Sequence, residues 1–442
     1  MNLKTMAAIL GQECTVDGEV TGVCTDTRQI QEGHVFVALE GEHFDGHAFV
    51  KEAEAKGAIA VIASKKEDSL SILQWIVDSP LAALACLAKA HRQSIGCPTI
   101  ALTGSNGKTT VKEMIAAILP PPSHATKGNL NNHIGAPLSV LALRPEHRYA
   151  VFELGANHVG EIAYTVSMVA PDVALINNIA PAHVDGFGSI EGVARAKGEI
   201  YQGLASQGTA VVNDDDVYAH FWDAILADKK VIRFSMTHQT DVYAADVRLD
   251  AKGHGCFTLV LPSGSCDIVL GVLGAHNIRN ALAAAACCYA VGISLADIQQ
   301  GLSAFSGVKG RMSILAGKNK ATILDDTYNA NLRSVLAGLE VLSKRQGEKI
   351  FVFGDMGELG QWAAEHHQEV GLAARRLGVD QLLTCGSLSQ LASEAFGEGG
   401  QHFATQDDVV HYLLNELQPE TTVLIKGSRS SAMEKIVQQL LH

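Results

Sequence analysis

The stretch ALTGSNGKTT, residues 101–110, restricts the possible folds more than any other part of this chain. It matches the end of the phosphate-binding pattern G-x-x-x-x-G-K-[ST] at Gly107, Lys108 and Thr109, but Leu102 stands where the first glycine belongs. An apolar run precedes this loop and the helical pattern TTVKEMIAAIL follows it. A strand, a glycine-rich turn and a helix in this order predict a unit of a parallel α/β sheet. The loop itself is a degenerate nucleotide site, a variant of the same kind, or a chance match.

Apolar runs bounded by Gly, Asn or Asp recur along the chain. Residues 1–80 contain the predicted strands HVFVALEG and AIAVIAS, and Ser79-Pro80 then interrupts the pattern. Residues 81–310 contain TIALTG, YAVFELG, VALINNIA and TAVVNDDD, and residues 311–442 contain ATILDD, KIFVFGDM, QLLTCG and TTVLIKGS. We therefore predict an α/β protein with three domains: a small α/β domain, a central P-loop ATPase-like parallel sheet, and a C-terminal Rossmann-like domain.

The composition excludes several classes of protein. A hydrophobic content of 47% favours packed cores over disorder, and a net charge of −13 argues against nucleic acid or an anionic membrane as the main partner. Nine cysteines without a C-x-x-C pair are typical of buried thiols in a reducing compartment. The N-terminus lacks the apolar core of a signal peptide, and the apolar run 281–293 is too short to span a bilayer. We therefore expect a soluble, cytoplasmic protein.

Further polar residues lie near the ends of the central strands. Glu153 closes YAVFELG, His183 follows VALINNIAPA, and Lys197 lies in ARAKGEI. Taken singly, Glu153 could cap a helix, His183 could satisfy a loop, and Lys197 could be a solvated helix residue. Because ligands collect at the carboxyl ends of parallel strands, the three together beside the loop indicate a metal and phosphate site.

Beyond the loop, the chain contains ATKGNLNNHIGAPLSVL, FELGANHVGEI, GAHNIRNALAA, GVKGRM, DDTYNAN, FGDMGELG and KGSRSSAME, in this order. In these motifs and in the T-G-x-N-G-K-T form of the loop, it resembles the Mur ligase family, the ATP-dependent amide-forming ligases of peptidoglycan precursor synthesis. The family's loop lacks the early glycine, which implies a family variant rather than a degenerate site. The G-N-L-N-N and D-D-T-Y-N-A-N forms resemble those of the member that joins D-alanyl-D-alanine to UDP-N-acetylmuramoyl-tripeptide.

The sequence departs from the family pattern at a few positions. Thr27 stands where Ser is usual, and His133 occupies a variable position. Leu332 stands where Pro usually follows DDTYNAN, which leaves the local loop shape open because Leu does not fix φ. None of these changes removes a polar group that the resemblance assigns to the reaction, so we expect activity to be retained.

The resemblance implies ATP, two Mg²⁺ ions and an acyl-phosphate intermediate. It implies that Lys108 binds the β- and γ-phosphates, that Thr109 and Glu153 serve the first Mg²⁺, and that His183 and a carbamylated Lys197 serve the second. A bare ammonium about 4 Å from a divalent cation would cost roughly 8 kcal/mol at an effective dielectric of about 20, whereas a carbamate offers the oxygens that Mg²⁺ prefers. The other implied ATP-binding residues are Gly104, Ser105, Asn106, Gly107, Thr110, Asn277, Arg311 and Asp326. Since Arg311 and Asp326 lie beyond the central domain, ATP is expected to close the third domain onto it.

The resemblance also implies the substrate contacts. TDTRQIQEGHVFVALEGEHFDGHAFV resembles the family's uridine-nucleotide-binding domain, although a turn in a small sheet would also explain its polar residues. The implied contacts are Thr27, Arg28, Asp45, Gly46 and His47 for the uridine nucleotide, Asn129, Asn131 and Asn132 for the muramoyl peptide, and Lys426 and Arg429 for a peptide carboxylate. A solvated turn would explain the last two residues as well.

Two kinds of alternative remain open. One is another amide ligase, either the diaminopimelate- or lysine-adding enzyme or folylpolyglutamate synthase. Against the first stands the absence of the D-N-P-R motif of the diaminopimelate-adding enzyme. Against the second stands the predicted uridine-nucleotide domain, which the folate enzyme lacks. The other is a binding protein in which ATP only switches shape, which would leave Glu153, His183 and Lys197 without a function. We expect a monomeric enzyme.

Overall fold

The computed structural model describes residues 1–41, 44–181 and 184–441. The first part of the chain contains α1 (Leu3–Ile9), β1 (Gly22–Cys24), β2 (His34–Val37), β3 (Glu40–Gly41), β4 (Phe44–Asp45), α2 (Val50–Ala55), β5 (Ala60–Ala63) and β6 (Leu73–Ile76). A parallel sheet runs in the order β1-β2-β5-β6, which confirms the strands predicted at HVFVALEG and AIAVIAS. Alternate residues face opposite sides, so Val35 packs with α1 and Phe36 packs with α2.

Helix α3 (Pro80–Ser94) connects the first sheet to the second. Ser79 caps it by accepting a hydrogen bond from the Ala82 N–H, and Pro80 occupies its first turn, so the predicted interruption at Ser79-Pro80 is the start of a helix. Leu84 packs in the core of the first sheet, whereas Ala88 packs in a core of the second. Helix α3 thus contributes side chains to the hydrophobic cores of both sheets. The domain boundary at residue 80 stays a prediction.

The central part is built around a mostly parallel sheet in the order β15-β14-β13-β12-β11-β10-β7-β9-β8. Its elements are β7 (Thr99–Thr103), α4 (Lys108–Ile118), β8 (Ser123–Ala125), α5 (Gly135–Leu141), β9 (Tyr149–Glu153), α6 (Glu161–Val169), β10 (Val173–Ile176), α7 (Val184–Phe187), α8 (Ile190–Gln202), β11 (Thr209–Asn213), α9 (Asp223–Leu226), β12 (Lys230–Ser235), β13 (Val242–Leu249), β14 (His254–Leu261), β15 (Gly264–Leu273), α10 (His276–Ala290) and α11 (Leu295–Ala304). The four predicted central strands, β7, β9, β10 and β11, are confirmed and are parallel to one another.

The prediction of a parallel central sheet is wrong for residues 242–273. There β13, β14 and β15 follow one another directly and pair antiparallel. One face of this extension packs against α10 and α11, so its strands alternate buried and exposed residues instead of forming continuous apolar runs. A search for continuous apolar runs does not detect such strands.

The third part has a sheet in the order β16-β17-β21-β18-β19-β20. Its elements are β16 (Ser313–Ala316), β17 (Thr322–Asp326), α12 (Leu332–Ser343), β18 (Lys349–Gly354), α13 (Ala363–Arg376), β19 (Gln381–Cys385), α14 (Gln390–Phe396), β20 (Gly400–Phe403), α15 (Gln406–Glu416), β21 (Thr422–Lys426) and α16 (Glu434–Leu441). The four predicted strands are confirmed, and the edge strands β16 and β20 were not predicted because they are short and half-exposed. The boundary at residue 310 stays a prediction.

Two details of the local structure resolve questions that the sequence left open. Leu102 lies within β7 and is fully buried among Val111 and Val151, so the position of the missing glycine belongs to the strand and not to the loop. Leu332 is the first residue of α12, where the side chains of Asn331 and Ser334 form a capping box. The capping box defines the helix start without the usual proline. In the described part of the chain, no helix has the length and apolarity needed to cross a bilayer.

Candidate active site

The loop between β7 and α4 is shaped to receive an anion. Gly107 has φ of 77°, in the left-handed region that favours glycine, and α4 begins directly after it at Lys108. The Lys108 ammonium donates a hydrogen bond of 2.7 Å to the Gly104 carbonyl, which folds its side chain back over the loop. Burial lowers the Lys108 pKa, the nearby Glu153 raises it, and Arg311 lowers it further. Backbone N–H groups, a helix N-terminus and a cation therefore meet at one place.

Side-chain amides from the segment directly after β10 and from α10 hold the loop in this shape. Asn178 accepts a hydrogen bond from the Asn106 N–H and donates to the Asn106 carbonyl, both at 2.9 Å. Asn177 donates to the same carbonyl and to Asn280. A side chain at Gly107 would lie 2.6 Å from the Asn280 Oδ1 and 2.7 Å from the Asn177 Nδ2. Position 107 therefore requires glycine, both for its positive φ and for the close approach of Asn280 and Asn177.

Glu153 ends β9 beside the loop, because the register pairs it with Leu102. It is 2% exposed, and its Oε1 accepts hydrogen bonds from Asn131 Nδ2 at 2.9 Å and Thr109 Oγ1 at 3.3 Å. These donors are side chains, so the interpretation of Glu153 as a helix cap is wrong. Its Oε2 is buried and has no hydrogen-bond partner among the described residues. A buried, half-satisfied carboxylate beside a threonine hydroxyl is a suitable pair of oxygen ligands for a hard divalent cation.

Lys197 lies in α8 and is 2% exposed, so the interpretation as a solvated helix residue is wrong. Its ammonium is 6.0 Å from the centre of the Phe187 ring. Burial, and to a lesser degree the charge of Lys108, lowers the Lys197 pKa well below its usual value. His183, the third member of the predicted cluster, lies outside the described residues.

The third part of the chain adds cationic and polar groups on the opposite side. The Arg311 guanidinium stacks 4.0 Å from the centre of the Tyr328 ring and donates to Thr109 Oγ1 at 3.4 Å. Lys426 is 2% exposed at the end of β21 and forms a 2.6 Å ion pair with Asp326. A solvated turn therefore does not describe Lys426. Burial lowers the Lys426 pKa, and Asp326 opposes this shift.

Lys108, Glu153 and Arg311 line one of two adjoining cavities, and Arg311, Asp326 and Lys426 line the other; of the described site residues, Lys197 lines neither. The larger, of about 340 Å³, is lined by Ser105, Asn106, Gly107, Lys108, Asn129, Asn131, Asn132, His133, Glu153, Gly155, Ala156, Asn157, Glu161, Arg311, Tyr328, Asn329, Asn331 and Ser334. The smaller, of about 130 Å³, is lined by Asn106, Gly107, Thr110, Asn178, His276, Asn277, Arg279, Asn280, Arg311, Met312, Asp326, Arg333, Ser334, Ala337, Gly338 and Lys426. Asn106, Gly107, Arg311 and Ser334 border both cavities, so the two polar clefts adjoin each other at the loop.

The residues predicted to bind uridine lie elsewhere, in the first part of the chain. Thr27 is buried, and Arg28 is exposed and forms a 2.7 Å ion pair with Asp26. Asp45 Oδ1 accepts from the His47 N–H at 2.9 Å, and Gly46 approaches the Leu39 backbone so closely that a side chain would not fit. Of the residues that the structure describes, those five do not line either cavity beside the loop.

Arg429 lies beside a third cavity, of about 260 Å³, that adjoins the larger one at Asn329 and Asn331. It forms a 2.9 Å ion pair with Glu434. Its placement is compatible with the predicted contact to a peptide carboxylate, which stays a prediction.

Sequence reasoning missed several residues that build this site. Asn177, Asn178 and Asn280 orient the loop, and Asn331 contacts it from the third part. Arg333 donates to the Ile179 carbonyl, which follows β10 beside the loop. The four asparagines lie in the quoted motifs VALINNIA, GAHNIRN and DDTYNAN, whereas Arg333 lies just beyond the last of them. Periodicity and motif order do not show which of these asparagines face one another across the cleft.

Comparison with known proteins places these features in a family. Models of the Mur ligase family match along the chain: the "Mur ligase family, catalytic domain" at residues 19–92, the "Mur ligase middle domain" at 102–288 and the "Mur ligase, glutamate ligase domain" at 310–429. The UDP-N-acetylmuramoyl-tripeptide–D-alanyl-D-alanine ligase of Escherichia coli is 44% identical, over 97% of this chain and 95% of that protein. The enzyme of the same name from Haemophilus influenzae is 41% identical, over 98% and 96%.

Solved structures agree with the sequence matches. MurF from Acinetobacter baumannii is 36% identical and superimposes with a TM-score of 0.91, covering 99% of this chain and 98% of that one. MurF ligase from Thermotoga maritima in complex with ADP is 26% identical with a TM-score of 0.81, covering 95% and 96%. Mycobacterium tuberculosis folylpolyglutamate synthase shares only the fold, at 18% identity and a TM-score of 0.64 over 81% of this chain and 94% of that one. The chain therefore belongs to the Mur ligase family and is an ATP-dependent amide ligase.

Proposed function

We propose that this enzyme joins D-alanyl-D-alanine to UDP-N-acetylmuramoyl-tripeptide, with conversion of ATP to ADP and phosphate. The observation that carries the proposal is the cleft itself, in which Lys108, Glu153 and Arg311 line the larger cavity and Thr109 is hydrogen-bonded to both Glu153 and Arg311. The names of the Escherichia coli and Haemophilus influenzae relatives specify the two substrates. The ADP complex of the Thermotoga maritima relative supports ATP as the nucleotide.

The arrangement supports transfer of the γ-phosphoryl group to the tripeptide carboxylate. Lys108 and the N–H groups of the loop hold the β- and γ-phosphates, while Arg311 approaches from the other side, where negative charge develops during transfer. The dipeptide amine then attacks the acyl phosphate, phosphate leaves from the tetrahedral intermediate, and the amide bond forms. The protein's contribution is positioning and charge stabilisation.

Glu153 and Thr109 are the proposed ligands of the first Mg²⁺. The unpartnered Glu153 Oε2 and the adjacent Thr109 hydroxyl fit a small cation that prefers oxygen. When bound, Mg²⁺ would neutralise charge on the phosphates. Asn131 would hold the Glu153 carboxylate in place through its 2.9 Å hydrogen bond.

Lys197 is proposed to act as a carbamate at a second metal, together with His183. Its burial in α8 disfavours an ammonium and favours the neutral amine, which is the form that reacts with CO₂. Intact-mass analysis in bicarbonate buffer, compared with the Lys197→Ala variant, tests this assignment. An active enzyme with an unmodified Lys197 would exclude it.

The domain division at residues 1–80, 81–310 and 311–442, the cytoplasmic location and the monomeric state belong to the same proposal. In it, the first domain holds the uridine nucleotide through Thr27, Arg28, Asp45, Gly46 and His47. The cleft between the second and third domains closes when ATP binds. Small-angle scattering that is identical with and without nucleotide and substrate would contradict closure.

The decisive experiment is a ligation assay read by mass spectrometry. The acceptor is UDP-N-acetylmuramoyl-tripeptide, offered D-alanyl-D-alanine or single amino acids, with folate plus glutamate tested separately. The expected result is a pentapeptide product with stoichiometric ADP and phosphate, and no product from Lys108→Ala. Product only from a UDP-N-acetylmuramoyl-dipeptide acceptor or from folate would retain the ATP chemistry and overturn the substrates.

A further inference from the structure

Asn331 caps helix α12, and this cap determines the orientation of its carboxamide. Its Oδ1 accepts a hydrogen bond of 3.0 Å from the Ser334 backbone N–H, and its own N–H donates to the Ser334 hydroxyl at 3.1 Å. A backbone N–H can only donate, so the atom that faces it must be the oxygen. The NH₂ group of Asn331 therefore points away from the helix.

This NH₂ group reaches across the cleft to the phosphate loop. It donates a 2.7 Å hydrogen bond to the Asn106 Oδ1. Because a donor must meet an acceptor, the orientation of the Asn106 carboxamide is determined in turn, with its own NH₂ on the far side. The Asn106 Nδ2 is buried and has no hydrogen-bond partner among the described residues, and Asn106 borders both cavities.

The rest of Asn106 has little freedom to move. Its N–H and its carbonyl are held by the side chains of Asn178 and Asn177. A second hydrogen bond attaches the first turn of α12 to the central part of the chain: Arg333 donates to the Ile179 carbonyl at 3.1 Å. The loop and the helix N-terminus thus form one hydrogen-bonded unit across the two parts of the chain.

We propose that Asn331 is a positioning residue for ATP. By donating to the Asn106 Oδ1, it turns the Asn106 NH₂ toward the site of the phosphates, where that group becomes an additional hydrogen-bond donor. The donor is correctly oriented only when the third part of the chain is docked on the loop, so docking and phosphate binding support each other. This inference rests on the proposed function, because it assigns ATP to the cleft.

The Asn331→Asp variant tests the inference with little change in shape. Aspartate caps a helix as well as asparagine does, so we expect α12 to keep its stability. A carboxylate cannot donate, and it would attract the Asn106 NH₂ and turn the Asn106 oxygen toward the phosphates. We expect kcat/KM for ATP to fall by about 100-fold, with the KM for the UDP-sugar tripeptide unchanged.

The added charge of aspartate must be separated from its effect on Asn106. In Asn106→Ala the carboxamide is absent, and we expect kcat/KM for ATP to fall about tenfold. If Asn331 acts through Asn106, adding Asn331→Asp to Asn106→Ala lowers the value by no more than about twofold further. Additive losses in the double variant would overturn the inference, because they would show a general charge effect.

A second pair of variants keeps the test informative if Asn331→Asp does not fold. Thr405 forms a capping box of the same kind with Asp408 on α15. Asn331→Ala and Thr405→Ala should lower Tm to a similar extent, but only Asn331→Ala should raise the KM for ATP. Equal KM values for ATP would contradict the inference. Ligation by the wild-type enzyme is measured in parallel, since its absence would instead refute the proposed function.

Discussion

Gly107→Ala is the substitution whose effect the structure specifies most closely. An alanine at φ of 77° costs about 1–2 kcal/mol, because the left-handed region brings its Cβ too close to the carbonyl oxygen that follows. The Cβ would also lie 2.6 Å from the Asn280 Oδ1 and 2.7 Å from the Asn177 Nδ2, two atoms that share a 3.1 Å hydrogen bond. Separating them costs about 1 kcal/mol more. We therefore expect the free energy of unfolding to fall by about 2–3 kcal/mol and ATP binding to be lost.

Gly292→Ala is the matched control for this substitution. Gly292 has φ of 82° and no neighbouring atom within 4 Å of an added Cβ, and it follows α10 in the same part of the chain. It should lose about 1–2 kcal/mol and keep its affinity for ATP. Urea unfolding followed by circular dichroism measures both changes, and calorimetric titration with ATP measures binding. Equal losses of stability in the two variants would refute the argument that contacts with Asn177 and Asn280 restrict position 107.

Three further predictions follow from buried polar groups. Glu153→Gln keeps the side-chain volume and the hydrogen bond from Asn131 but removes the charge. We expect kcat to fall at least about 100-fold and the Mg²⁺ concentration needed for half-maximal ATP turnover to rise, as measured by a magnesium titration. The Tm should be unchanged or higher. Lys426→Met leaves Asp326 without its 2.6 Å ion-pair partner and should lower the free energy of unfolding by about 3–5 kcal/mol. Adding Asp326→Asn should recover part of this loss, and urea unfolding measures both changes. Burial lowers the His124 pKa from 6.5 to about 4, so the unfolded chain binds the proton more readily than the folded one. The free energy of unfolding therefore falls as pH decreases through this window, by about 2 kcal/mol at pH 5. In urea unfolding, His124→Gln should lose about 2 kcal/mol less than the wild type between pH 7 and pH 5.

The sequence predicted the strands that are buried on both faces. TIALTG, VALINNIA and TTVLIKGS are continuous apolar runs, and they form β7, β10 and β21. The antiparallel extension β13–β15 and the edge strands β16 and β20 escaped prediction because their exposed faces interrupt the apolar pattern. The physical signal of a strand is strongest where both faces are covered, and it weakens toward the edges of a sheet.

The candidate site was predicted in part. The loop, Glu153 and Arg311 were identified from motifs, and the structure brings them to one cleft. Burial of Lys197 and of Lys426 was open in the sequence, since a lysine in a helix or at a strand end is usually solvated. The assigned roles of the site residues remain proposals that the variants above test.

By itself, the sequence determined the strands that are buried on both faces, the phosphate loop and the family, because these depend on local periodicity and on the order of short motifs. Only the tertiary structure decided which polar side chains meet. Asn331 and Asn106 are 225 residues apart in sequence and Lys426 and Asp326 are 100 apart, yet each pair is joined by a short hydrogen bond or ion pair. The first pair joins a helix N-terminus of the third part to the loop of the central sheet, and the second joins the ends of the neighbouring strands β17 and β21 of one sheet. In both, the orientation depends on donors and acceptors contributed by distant parts of the chain.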